Sequence, residues 1–149
     1  MCGICGYVSR KLIRSEKLVE MNDTMYHRGP DDHGIWEYQS TEYGVGFAQR
    51  RLAILDLSEL GHQPMKSEDG RLVISYNGEV YNYMQLRDEL KKKGYRFVSN
   101  CDTEVIIAAY QEWGCECFRK LNGMFAIAIF DKEKECVVLA RDRMGKKPL

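Results

Sequence analysis

With 149 residues, 44% of them apolar and 30% charged, the chain has the make-up of one globular domain large enough to bury a core. Its 22 Lys and Arg balance 22 Asp and Glu, so no bulk basic field draws it to nucleic acid or to an anionic membrane. No apolar run approaches the roughly 18–20 residues of a membrane span, the start lacks the regions of a secretory signal, and a reduced, cytoplasmic setting for the six cysteines is expected.

Residues 3–9 read as a buried strand. A helix is expected after Ser15, with Leu18, Met21 and Met25 at helical spacing, ending before Gly29-Pro30. His27-Arg28-Gly29-Pro30-Asp31-Asp32 is a polar loop rich in turn formers. Short strands over 34–38 and 44–49 come next, and 57–70 reads as an exposed loop carrying His62. Leu72, Ile74 and Tyr76 alternate with Val73 and Ser75, which predicts a strand running straight into Asn77-Gly78-Glu79. The spacing then predicts a helix over roughly 82–93, with Asn82 as N-cap, Gln85 as its reciprocal partner, Tyr83, Leu86 and Leu90 as the buried stripe and Gly94 as the stop.

The next helix begins near Asp102 or Thr103, buries Val105, Ile106, Ala109 and Trp113, and ends at Gly114. A short helical segment over 118–121 precedes residues 124–130, which are apolar on both faces and so predict a strand in the middle of a layered structure. The charged turn 131–135 leads into a second strand over 136–141 as its hairpin partner. Strands at both ends with helices grouped between them predict an α+β fold of two packed sheets covered by helices. The chain stops soon after a strand, at Lys147-Pro148-Leu149, which reads as a fragment of something longer.

The chemistry centres on the start, Met1-Cys2-Gly3-Ile4-Cys5-Gly6. Were Met1 removed, Cys2 would carry a thiol and a free α-amine on one Cα, with reference pKa values of about 8.5 and about 7.7–8.0. One residue would then supply both nucleophile and base; the bland reading is a small buried hydrophobe. Cys2-x-x-Cys5 lacks the setting of a redox motif and has no second pair to complete a zinc site, so no metal is expected.

Asn77-Gly78 at a strand end suits an oxyanion hole, made from a side-chain amide and the next backbone N–H. It is also the strongest short hairpin-turn signal, although Glu79-Val80-Tyr81 is too short for a good return strand. Arg51 in an apolar stretch would grip a substrate carboxylate or form an internal salt bridge. Asp102 and Glu79 are open to two readings, a helix cap for the former or a hold on a substrate ammonium for both. A Cys–His dyad of thiol-protease type with His27, His33 or His62 is a rival, but all three histidines lie in turn-rich stretches.

These residues fall into an ordered set: the Cys2 start, His27-Arg28-Gly29-Pro30-Asp31, Arg51-Leu52-Ala53-Ile54-Leu55-Asp56, Tyr76-Asn77-Gly78-Glu79-Val80-Tyr81-Asn82, Asp102-Thr103-Glu104 and Arg141-Asp142-Arg143-Met144-Gly145. Together, over essentially the whole chain, the set resembles the N-terminal glutaminase domain of the glutamine-dependent asparagine synthetases. Those are class II glutamine amidotransferases of the N-terminal-nucleophile hydrolase fold. The resemblance implies a four-layer αββα sandwich and hydrolysis of glutamine through a glutamyl thioester on Cys2, with Asn77 and Gly78 as the oxyanion hole. It further implies glutamine-binding roles for Arg51, Leu52, Ala53, Ile54, Leu55, Asn77, Gly78, Glu79 and Asp102. Arg51 would hold the α-carboxylate, Glu79 and Asp102 the α-amine, and the Ile54 and Leu55 backbone would close the pocket.

No cofactor is implied for this domain, with ATP and magnesium expected only in a synthetase domain that the chain lacks; no Ser-Gly-Gly-x-Asp-Ser loop occurs in it. The implied partners are glutamine, that synthetase domain and a possible homodimer mate. Asparagine synthesis from aspartate is the expected use of the ammonia. A related carboxylate acceptor and a non-catalytic glutamine-binding domain are the alternatives. Lys146 stands where this family usually has an aliphatic residue, which bears on local packing.

Overall fold

A computed structural model describes residues 2–11, 13–54 and 58–149. Its strands are β1 (Gly3–Ser9), β2 (Asp32–Gln39), β3 (Gly44–Arg51), β4 (Met65–Lys66), β5 (Leu72–Val80), β6 (Gly123–Asp131) and β7 (Cys136–Arg141). The helices are α1 (Ser15–Asp23), α2 (Tyr83–Lys92), α3 (Asp102–Trp113) and the single turn α4 (Cys117–Lys120). The strands form two antiparallel sheets, a three-stranded one in the order β1-β3-β2 and a four-stranded one in the order β4-β5-β6-β7.

β6 occupies the place its composition predicts. Phe125, Ile127 and Ile129 face α2 and α3, packing with Leu86, Leu90, Val105, Ile106 and Ala109. Ala128 and Phe130 face the other sheet, meeting Val45, Phe47 and Trp36. The Phe130 ring lies 5.5 Å from that of Trp36 and 5.0 Å from that of Tyr38, an aromatic seam between the sheets. On the outer side α1 covers the smaller sheet through Leu18, which is fully buried over Gly46. Burying one such side chain stabilises the fold by about 1.5–3 kcal/mol. The layers are therefore helix, sheet, sheet, helix.

Several local expectations are corrected. β1 is an edge strand, and only Gly3 in it is buried. α1 stops at Asp23, and Met21 points outward, because the buried face of this short helix runs through Leu18 and Asn22. Within 58–70, Gly61, Gln63, Pro64 and Ser67 are buried, since β4 pairs with β5 and draws the segment inward; Leu57 lies outside the described residues. Asn82 does not cap α2: its side chain bonds the Lys120 carbonyl and the Asn122 N–H instead, at 2.9 Å each. Gly94 and Gly114 end α2 and α3 with φ of 97° and 56°, as expected of helix stops. Lys146 is exposed and disturbs no packing. Among the described residues no helix is long and apolar enough to cross a membrane.

Candidate active site

The decisive feature is the edge of β5 that faces away from β6. β4 pairs with β5 only at Ile74 and Val73, so the edge beyond Ile74 has no strand beside it. Alternation in an antiparallel ladder turns the main-chain groups of Tyr76, Gly78 and Val80 toward this edge. Side chains replace the missing strand. Gln63 Oε1 accepts the Tyr76 N–H at 2.8 Å, Gln49 Nε2 donates to the Tyr76 carbonyl at 2.8 Å, and Asp102 Oδ2 accepts the Val80 N–H at 3.0 Å. Gly78 lies between these anchors, and no described side chain takes its N–H. A Cβ on Gly78 would sit 2.3 Å from the Met124 carbonyl oxygen, so glycine is what lets the strand run this close to β6.

Asn77-Gly78 thus lies within a strand and is not a hairpin turn. Asn77 is buried on the sheet face that looks toward β1 and β3. Cys2, just ahead of β1, lines the same cavity, and its Sγ sits 3.4 Å from the Leu52 nitrogen and 3.6 Å from its carbonyl oxygen. Arg28 Nη2 donates to the Cys2 carbonyl at 3.4 Å, tethering the start of the chain to the loop before β2. Gly3 is buried where a Cβ would meet Met25 Sδ at 2.9 Å, so its smallness serves that packing.

Arg51, the last residue of β3, is buried, and its Nη1 donates to the Ser58 carbonyl at 3.2 Å. Its guanidinium lies against Gly61, whose absent Cβ would be 2.1 Å from Nη2. Asp102 opens α3 and is buried, and its side chain reaches across to β5. Besides the Val80 N–H, Oδ2 accepts the Tyr76 hydroxyl at 2.7 Å. Burial pushes the Asp102 carboxyl above its ordinary range, and the hydrogen bonds from Tyr76 and Val80 oppose that rise. Glu79 is pushed up by burial first and by the charge of Asp102 next, while Lys147 draws it down.

One cavity therefore gathers Cys2, Arg51, Leu52, Ile54, Asn77, Gly78, Glu79 and Asp102. Ala53 is not part of it: its N–H donates to Asp31 Oδ2 at 2.9 Å, and it lines a neighbouring surface hollow with Asp31 and Asp32. Leu55 and Met1 lie outside the described residues. The cavity also includes Gln63, Tyr76, Cys101, Thr103, Met124 and Lys147, to which sequence reasoning assigned no site role. A phenol at an apolar strand position was a usable signal for Tyr76, since a buried hydroxyl needs a partner; Gln63 offered none.

Among the described residues no histidine is hydrogen-bonded to Cys2. His62 pairs with Asp32 at 2.8 Å, His33 is exposed, and His27 lines a second hollow together with Cys2 and Asn77. No group of three or more His, Cys, Asp or Glu among the described residues is arranged to hold a metal ion.

A family model for the glutamine amidotransferase domain matches residues 1–149. A putative glutamine-hydrolyzing asparagine synthetase of Methanocaldococcus jannaschii is 41% identical over 99% of this chain and 31% of its own length. Asparagine synthetase [glutamine-hydrolyzing] 1 of Bacillus subtilis is 43% identical over all of this chain and 24% of its own length. The chain thus spans between about a quarter and a third of these relatives. Among solved structures, the B. subtilis glutamine phosphoribosylpyrophosphate amidotransferase complexed with ADP and GMP superposes with a TM-score of 0.76 at 20% identity. The match covers 95% of this chain and 37% of that one, which shows that the two share a fold.

Proposed function

This chain belongs to the glutamine amidotransferase domain family, and on that premise we propose that it hydrolyses glutamine through a thioester on Cys2. It is an enzyme, the glutaminase half of a glutamine-hydrolysing amidotransferase. The observation that carries the proposal is the convergence on one cavity of the Cys2 thiol, the Asn77-Gly78 edge, Arg51 and two carboxylates.

The reaction follows from that arrangement. With Met1 removed, the Cys2 α-amine takes the thiol proton, and sulfur attacks the side-chain carbonyl carbon of glutamine. The oxyanion accepts hydrogen bonds from the Asn77 amide and the Gly78 N–H, donors already fixed by the strand. The amine returns the proton to the leaving nitrogen, ammonia departs, and water cleaves the glutamyl thioester to glutamate and free thiol. Arg51 binds the α-carboxylate, and Glu79 with Asp102 binds the α-ammonium. A simple amide lacks the α-carboxylate and α-ammonium that these charged groups would bind and is rejected for that reason.

Ammonia would pass to an ATP- and magnesium-dependent synthetase domain elsewhere in the full protein. Aspartate is the acceptor that the names of the relatives favour.

Replacing Cys2 by Ala should abolish release of glutamate and ammonia from glutamine while leaving the circular dichroism spectrum unchanged. Retained turnover would overturn the mechanism. A glutamine-mimicking alkylator should add once, at Cys2, by intact mass; glutamine binding without turnover or adduct would mark a regulatory domain instead.

A further inference from the structure

The grip that Arg51 offers a carboxylate depends on what fixes its guanidinium, and a turn further along the chain supplies part of that support. Nη1 donates to the Ser58 carbonyl at 3.2 Å, and Nη2 lies against Gly61. Glu59–Gly61 is a single 3-10 turn, in which the Ser58 hydroxyl accepts the Leu60 N–H at 3.2 Å and the Glu59 carbonyl accepts the His62 N–H at 3.0 Å. One turn of this kind has little stability of its own and takes its place from what it is tied to.

His62 makes one of those ties. Its Nδ1 lies 2.8 Å from Asp32 Oδ2, and because a carboxylate only accepts, Nδ1 carries the proton. Asp32 stands directly opposite Arg51 in the β2–β3 ladder, and its Oδ1 accepts the His33 N–H at 2.7 Å, which sets the direction of the carboxylate. The other ring nitrogen of His62 passes over Gly34, where a Cβ would stand 2.8 Å from Nε2 and would overlap the Gln63 carbonyl oxygen. Glycine at this buried position lets the segment settle onto β2. Just beyond, Gln63 ties the segment to the Tyr76 N–H and, at 3.1 Å, to the Thr103 hydroxyl. We infer that His62 is a positioning residue for substrate binding: through its bond to Asp32 it holds the Glu59–Gly61 turn against the Arg51 guanidinium, which grips the glutamine α-carboxylate. The inference rests on the glutaminase reading and gives His62 a task other than proton transfer at Cys2.

The size and the place of the effect follow from the same geometry. The His62 and Asp32 side chains are 50% and 32% exposed, so solvent screens their bond, and its loss shifts the seating of Arg51 by an equilibrium factor of about five without unfolding the domain. Among the described residues, neither His62 nor Asp32 is hydrogen-bonded to Cys2, Asn77 or Gly78, and neither lines their cavity. The effect therefore falls on the hold on the α-carboxylate and leaves the bond-breaking steps alone.

The test follows glutamine hydrolysis and labelling of Cys2 in the protein and in H62L, D32A, the double variant and H62N. H62L should raise KM about fivefold with kcat little changed, and it should add nothing in the D32A background, because the two substitutions remove one bond. H62N, whose amide can still donate to Asp32, should keep KM within about twofold of the parent value. A glutamine-mimicking alkylator that carries the α-carboxylate should label Cys2 about fivefold more slowly in H62L at low concentration. Iodoacetamide, which has no such group, should label Cys2 at the parent rate. An unchanged KM in H62L, losses that multiply in the double variant, or equal slowing of both alkylators overturns the inference. Should H62L fail to fold, H62A serves the same comparison. If the parent protein neither turns over glutamine nor takes the glutamine-mimicking adduct, the glutaminase reading fails. Calorimetric glutamine binding then decides the role of His62 separately, with affinity weakened in H62L supporting it and equal affinity overturning it.

Discussion

Removing one oxygen from Tyr76 probes the site and the fold together. In Tyr76→Phe the ring still fills its place in the helix-facing core, and Gln63 and Gln49 still hold the main chain of residue 76, so β5 should keep its path. What is lost is the 2.7 Å donor to a buried carboxylate, which leaves Asp102 Oδ2 with the Val80 N–H at 3.0 Å. A hydrogen bond to a charged group is worth about 1.5–3 kcal/mol. The expected loss at neutral pH is therefore about 2 kcal/mol, or roughly 4–8 °C in Tm for a domain of this size.

The pH dependence supplies the sharper check. Burial raises the folded pKa of Asp102 above its unfolded value, so folding favours the protonated acid, and this contribution is lost as pH rises through the folded pKa. Tyr76 opposes that rise, so Tyr76→Phe pushes the carboxyl higher still and weakens the fold most where Asp102 must ionise. Urea denaturation should show a deficit of about 2 kcal/mol at neutral pH that shrinks to about 1 kcal/mol or less near pH 4, where a neutral acid needs the phenol less. An equal deficit at both pH values, or none at either, would refute the assigned coupling. The same variant should raise KM for glutamine more than it lowers kcat.

Gly61→Ala would place a Cβ 2.1 Å from Arg51 Nη2 and 2.6 Å from Cζ, the far end of a flexible side chain. Overpacking at this buried site should cost about 1–3 kcal/mol of stability while kcat/KM for glutamine drops by about 100-fold; unaltered kinetics would remove Arg51 from the substrate site. On the opposite side of the molecule, Arg71 holds fully buried Asp131 with bonds of 3.0 and 2.8 Å. Those bonds lower the Asp131 carboxyl, so the stability they give is present above its unfolded pKa and lost as pH falls through the folded one. Arg71→Met should cost about 2 kcal/mol at neutral pH, less than a fully buried pair because Arg71 is part-exposed, and should flatten the acid limb of the stability curve. A limb identical to that of the parent protein would show that Asp131 does not drive it.

The layers, the central strand and the helix stops were legible because each is written in local pattern. Residues 124–130 are apolar at every position, which only a doubly covered strand tolerates, and Gly94 and Gly114 stand where helices with apolar stripes must end. Cys2, Arg51, Asn77, Gly78, Glu79 and Asp102 were legible as residue types out of keeping with their surroundings or paired in a telling way. Tertiary structure decided what each of them does with its neighbours. That β4 ends after two residues, so that Gln49, Gln63 and Asp102 finish the edge of β5 around Gly78, depends on pairings between segments far apart in the chain. Asn82 bonds to residues 120 and 122 rather than its own helix for the same reason. Lys146 and Lys147 are identical in sequence terms, yet Asp142 and Arg141 turn one outward and the other into the pocket. Periodicity reports how often a side chain is covered; which atom covers it is settled only when distant strands and loops meet.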